Sequence, residues 1–186
     1  MVVDFFAQPG LDKLDLSSLK LLVSGGAAVP DAVSRMLLQR YGLVLNESYG
    51  MTETAAFLHC NPVGREKPCC LGVPTFGVDS RVIDPVTRQE LPAFEVGELV
   101  TSGRQLMQGY WQRPEAAAEA FVELDGKRYL RTGDLCHVDE DGYFFMRDRL
   151  KRMISVSGYK VWPAEVENQL YAHPAVHEAC VIGTPD

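Results

Sequence analysis

Apolar and polar positions change their period three times along this chain. Residues 19–23 form a short apolar run that predicts a buried strand, followed at once by Ser24-Gly25-Gly26-Ala27-Ala28-Val29-Pro30. From Pro30-Asp31 the spacing turns helical: Val33, Met36, Leu37 and Tyr41 share one face, and Gly42 stops it. Leu43-Val44-Leu45 predicts the next strand, so strand, glycine turn, helix and strand read as an α/β unit. Val2, Val3, Phe5 and Phe6 ahead of Pro9-Gly10 read as the end of a helix. That opening suggests a chain cut from something larger.

From Asn61-Pro62 to about Phe145 the period falls to two. Short β-type runs at 81–85, 97–103 and 129–130 predict a small barrel or sandwich, interrupted by one helix near 114–121. Strands at 135–138 and 143–146 flank Asp139-Glu140-Asp141-Gly142, a strong hairpin signal because Gly supplies the positive φ of the turn. After Lys151 the pattern changes again. Residues 153–161 predict a strand pair bent at Gly158. Pro163 opens a helix carrying Val166 and Leu170, which ends at His173-Pro174, and 176–183 predicts a last strand. The expected fold is an α/β, or α+β, mixture. It comprises the end of a large α/β subdomain (1–75), a β-rich, barrel-like subdomain (76–150) and the start of a small C-terminal α+β domain (151–186).

Composition narrows the function classes. A hydrophobic content of 46% and a charged content of 23% suit a globular protein. No apolar run approaches the ~20 residues of a membrane span, and the first residues lack the basic start of a secretory signal. A net charge of −7 without a basic block argues against nucleic acid or an anionic membrane as partner. Five cysteines, odd in number and without zinc spacing, point to reduced thiols and a cytoplasmic protein.

The candidate chemistry lies where strands end. Asn46-Glu47-Ser48-Tyr49-Gly50-Met51-Thr52-Glu53-Thr54 follows a strand of an α/β unit, the place where such sheets take ligands. Tyr49 offers a ring to stack on a base, and Gly50 removes a side chain beside it. Thr52 offers a hydroxyl to a phosphate, and Glu53 a hard oxygen to Mg²⁺. Read structurally, Thr52-Glu53-Thr54 is a capped helix N-terminus, and Gly25-Gly26 a tight turn that equally lets a flat ligand lie on the backbone. Asp134 and the Asp148/Arg149 pair flank the 139–142 hairpin. A carboxylate and a guanidinium there suit a polyhydroxyl ligand, or form a plain surface ion pair. Gly97-Glu98-Leu99 and Gly109-Tyr110-Trp111 read as packing.

Taken in order, Gly25-Gly26, Tyr49-Gly50-Met51-Thr52-Glu53, Gly97-Glu98-Leu99, Thr132-Gly133-Asp134 and Arg147-Asp148-Arg149-Leu150-Lys151 resemble the adenylate-forming superfamily. It comprises acyl-CoA synthetases, firefly-type luciferases and the adenylation domains of peptide synthetases. Ser157-Gly158-Tyr159-Lys160-Val161-Trp162-Pro163-Ala164-Glu165-Val166-Glu167 is similar to fatty-acyl-CoA ligases in particular. The resemblance implies that ATP and a carboxylic acid form an acyl-adenylate, from which coenzyme A then displaces AMP. It implies that Gly25, Gly26 and Ala27 line the adenine and acyl pocket, that Tyr49 and Gly50 meet adenine, and that Thr52 meets the phosphates. Glu53 would hold Mg²⁺, Asp134 and Arg149 the ribose hydroxyls. Lys151 would be the hinge before the small domain, and Gly158 would border the pantetheine channel. The family's phosphate loop with its lysine, and its C-terminal lysine, have no counterpart in these residues. The chain alone is therefore expected to be inactive. An adenylation domain of a peptide synthetase, a luciferase-like oxygenase and a non-catalytic nucleotide-binding module are the competing readings.

Overall fold

The computed structural model describes residues 8–19, 21–26, 31–55, 57–156, 159–171, 173, 175–176 and 179–184. The described residues are a mixture of helix and sheet, and the chain divides into two compact units at Gly77/Val78.

In the first unit β1 (Leu22–Gly25) and β2 (Leu45–Gly50) are parallel, β3 (Phe57–Cys60) returns antiparallel to β2, and β4 (Val73–Pro74) pairs with β3. Helix α1 (Asp31–Tyr41) is the crossover between the two parallel strands. Leu37, fully buried, packs with Leu11 and Leu45, and Leu22, Val33, Met36 and Tyr41 close around them. The helical face expected from the sequence is thus the face that holds the sheet. Two expectations change. The first strand is half exposed, with Val23 open to solvent, so it is not the buried strand its composition suggested. The second begins at Leu45 and runs through Asn46 and Ser48, both buried. Those polar side chains made the segment look like a loop. Ser48 makes strand geometry tolerable by donating its Oγ to the Ser24 carbonyl on the neighbouring strand, 3.1 Å away.

The second unit is built on β8 (Lys127–Val138), a single 12-residue strand where two short ones were expected. β6 (Gly97–Ser102) lies along one side of it, and β5 (Asp79–Ile83) lies outside β6. On the other side β7 (Phe121–Leu124) pairs with the first part of β8, and β9 (Phe144–Arg149) with the last. All these pairings are antiparallel. Ile83, Val100, Val122 and Tyr129 make the core. The expected Asp-Gly turn joins β8 to β9. Asp139 Oδ1 accepts the N–H groups of Asp141 and Tyr143, and Gly142 takes φ +81°. Helix α2 (Pro114–Glu119) precedes β7, with proline at its first position.

After β9 come a 3-10 turn (Leu150–Arg152), the antiparallel pair β10 (Ile154–Val156) and β11 (Tyr159–Val161), and helix α3 (Pro163–Tyr171). The strand expected at 176–183 is absent among the described residues there. Side chains hold that segment instead. Glu167 accepts the Val181 N–H, and the Tyr171 hydroxyl donates to the Ala179 carbonyl and accepts the Ala179 N–H.

Candidate functional site

In the first unit, β1 and β2 end side by side at their carboxyl ends, with Gly25 opposite Ser48. A Cβ on Gly25 would stand 2.7 Å from Ser48 Oγ and 3.2 Å from the Ser48 carbonyl oxygen, so a side chain there would displace the Ser48 hydroxyl from its bond to Ser24. Tyr49 and Gly50 are the last residues of β2, and after Met51 the chain makes one 3-10 turn, Thr52–Thr54. The α-helix N-terminus expected here is therefore a single turn. The buried Thr54 closes it: its Oγ donates to the Met51 carbonyl at 2.8 Å and accepts the Met51 N–H. This fixes the exposed Thr52 and the half-buried Glu53 just beyond the strand.

Tyr49 is half buried against His59, directly across β3, with the rings 5.7 Å apart and tilted by 51°. His59 was not singled out from the sequence. It is fully buried, and burial pushes its pKa down to about 3. A histidine whose folded pKa lies below its unfolded value, ordinarily about 6.5, contributes stability that is present above 6.5. That stability is lost as pH falls towards 3. Between pH 7 and pH 5 the expected loss is roughly 2 kcal/mol. Denaturant titrations should show that loss in the wild type and a flatter profile in His59→Gln. Parallel profiles would mean that His59 does not titrate on unfolding.

In the second unit, Asp134 and Arg149 face one another across β8 and β9, with Asp134 Oδ1 3.2 Å from Arg149 Nε. The Asp134 side chain is 7% exposed and that of Arg149 is 69% exposed. The pair is therefore not a plain surface bridge: a nearly buried carboxylate sits under a solvated guanidinium. Asp134 is placed by a bulge. Glu98 pairs with Leu135 and Val100 with Arg131, so Leu99 alone faces Thr132, Gly133 and Asp134. Gly133 has φ +70°, open to glycine and strained for other residues. The same bulge explains why the sequence breaks its alternation at this point. Next to it, burial and then the Asp134 charge raise the Cys136 pKa, which leaves an inert thiol.

Two carboxylates carry more structure than the sequence suggested. Glu98, read there as packing, is 2% exposed and bound to Arg131 and to the backbone of Gly133. A carboxylate inside an apolar run needs a partner, and that was the available signal. Asp148 is also buried, and it accepts the Arg149 N–H at 2.7 Å and the Ala164 N–H at 3.0 Å. Ala164 is the second residue of α3, so a β9 side chain caps that helix from outside. Lys151 lies between these contacts, exposed, in the middle of the Leu150–Arg152 turn.

Gly25, Gly26, Tyr49, Gly50, Thr52 and Glu53 thus belong to the first unit, and Asp134, Arg149 and Lys151 to the second. Ala27 and Gly158 lie outside the described residues. Among the described residues no group of three or more His, Cys, Asp or Glu side chains could hold a metal ion. Glu53 as a single carboxylate fits Mg²⁺ that arrives on phosphates, since that ion commonly takes one or two protein carboxylates beside substrate oxygens.

Residues 1–111 match the AMP-binding enzyme family, and the chain belongs to it. A feruloyl-CoA synthase from Amycolatopsis sp is 45% identical over 182 residues, which cover 97% of this chain and 36% of that protein. A long-chain-fatty-acid–CoA ligase from Bacillus subtilis (strain 168) is 39% identical over 179 residues, 96% of this chain and 31% of that protein. Among solved structures, ATP-bound MatB from Rhodopseudomonas palustris superposes with a TM-score of 0.91 at 34% identity, over 99% of this chain and 36% of that one. The chain spans about a third of the length of the curated relatives it matches.

Proposed function

We propose that the full-length protein containing this chain is an AMP-forming acid–CoA ligase, and that these residues supply the nucleotide side of its site. The observation that carries the reading is the Asp134/Arg149 pair, an immobilised carboxylate beside an exposed guanidinium. That donor and acceptor set suits the two hydroxyls of a ribose. Tyr49 and Gly50 meet the adenine, with Gly25, Gly26 and Ala27 lining the pocket beside it. Thr52 bonds the phosphate oxygens, and Glu53 holds Mg²⁺. The ion supplies charge neutralisation on the phosphates when bound.

The chemistry asks the protein for position and charge rather than a nucleophile. A substrate carboxylate oxygen attacks the α-phosphorus of ATP, and the bond to the β-phosphate oxygen breaks, releasing pyrophosphate. The sulfur of coenzyme A, after losing its proton, then attacks the acyl carbon, and the acyl–oxygen bond breaks to release AMP. Lys151 is the hinge on which residues 151–186 turn between the two steps, and Gly158 borders the thiol channel. Residues 1–75 and 76–150 belong to the large domain.

The two relatives are named for an aromatic and for a long aliphatic acid; we place a fatty acid first among the candidates. A cytoplasmic location accords with five cysteines that form no disulfide. No helix among the described residues is long and apolar enough to cross a membrane. The test is acid-dependent exchange of labelled pyrophosphate into ATP by the full-length protein, across aliphatic and aromatic acids. At least one acid should support exchange. The same assay on residues 1–186 alone should show none, and failure of the full-length protein with every acid would overturn the reading.

A further inference from the structure

We propose that Glu98 is a positioning residue for the ribose of the nucleotide, acting through the bulge that ends in Asp134. The inference rests on the reading of Asp134 as the group that accepts the ribose hydroxyls. Its own evidence is the way the bulge is tied down. Three residues of β8, Thr132, Gly133 and Asp134, stand opposite the single residue Leu99 of β6. Bulged residues lose regular ladder partners, so their backbone groups must find others. Glu98 Oε1 accepts the Gly133 N–H at 3.3 Å. Thr132 Oγ donates to the Leu99 carbonyl at 2.8 Å and accepts the Asp134 N–H at 3.1 Å. Side chains therefore answer the backbone donors of Gly133 and Asp134.

The other oxygen of Glu98 is fully committed. Oε2 accepts Arg131 Nε at 3.0 Å and Nη2 at 2.7 Å, a charge-assisted fork. Arg131 itself pairs in register with Val100, at the start of the bulge. One buried carboxylate thus grips the residue where the bulge begins and the glycine at its middle. Asp134, the last residue, is then aimed across to Arg149. A buried carboxylate is costly unless paired and hydrogen-bonded, and an aliphatic side chain would fill this strand position at less cost. What the glutamate adds is an orientation for the next carboxylate along.

Glu98→Gln keeps the shape but places an NH₂ where Glu98 has an acceptor, facing either Arg131 or the Gly133 N–H. The bulge should shift, and with it the geometry at the ribose. The experiment measures kcat/KM for ATP and for 2′,3′-dideoxy-ATP in the full-length protein, using the acid found by pyrophosphate exchange. The wild type should favour ATP, and Asp134→Ala should lose most of that preference. In Glu98→Gln the preference should fall about tenfold, through KM for ATP, with kcat and the dideoxy substrate little changed. Arg131→Lys, which keeps the charge but loses the fork, should move the ratio in the same direction by less. It serves as the readout if Glu98→Gln does not fold. A purely structural role would lower the amount of folded enzyme and leave the ratio alone. A ratio at the wild-type value in the variant that folds overturns the proposal. Absence of any ribose preference in the wild type overturns the Asp134 reading beneath it, so the two failures are distinguishable.

Discussion

Replacing Lys151 with proline in the full-length enzyme should leave acyl-adenylate formation near the wild-type rate and lower thioester formation by orders of magnitude. Lys151 is exposed and sits in the middle of a one-turn 3-10 segment. Such turns hold φ at about −50 to −70°, close to the −65° that proline imposes, so the arrangement seen here admits the ring. A proline at 151 also pushes Leu150 away from helical geometry, a local cost common to both half-reactions. Rotation is different. The segment beyond Lys151 is held to β9 by Asp148, which accepts the Ala164 N–H and lies 3.7 Å from Arg152 Nη1. If residues 151–186 turn about Lys151 as proposed, that residue must change φ/ψ. Proline forbids the second setting. Acyl-adenylate formation and coenzyme A consumption, measured separately on the same variant, decide the matter. Equal losses in both would make Lys151 an ordinary surface residue.

Asp134→Ala should weaken ATP binding by roughly 1.5–3 kcal/mol, about 10- to 150-fold in the Michaelis constant. Because the Arg149 side chain is 69% exposed, water can solvate the guanidinium left behind. A large effect on ATP with a small effect on unfolding would therefore separate ligand binding from fold maintenance. An unchanged Michaelis constant and turnover would return Asp134 to the role of a structural partner for Arg149.

What was legible in the sequence was what local spacing decides. Val33, Met36, Leu37 and Tyr41 repeat at the helical period, and they meet Leu11 and Leu45 as that period requires. Asp139 and Gly142 supply a turn whose bonds lie within five residues. The motif residues Tyr49 to Glu53 were legible as a group because they are contiguous. The central strand was not, since Thr132-Gly133-Asp134 interrupts its alternation and only β6 shows that the interruption is a bulge. Ser48 concealed a strand for a related reason: its polar side chain is satisfied by Ser24, 24 positions away in the chain. Glu98 was misread because its partner Arg131 lies 33 positions downstream. Long-range polar satisfaction has no period, and the residues that aim Asp134 depend on it.

The most direct measurement of the central claim follows the oxygen. The full-length protein is supplied with ATP, coenzyme A and a carboxylic acid labelled with ¹⁸O in both carboxylate positions, and the products are resolved by mass. Attack of the carboxylate on the α-phosphorus, followed by cleavage of the acyl–oxygen bond, must leave one labelled oxygen on AMP and none on pyrophosphate. Labelled AMP formed together with an acyl thioester is the predicted result. Release of ADP and phosphate, or AMP without label, would contradict it.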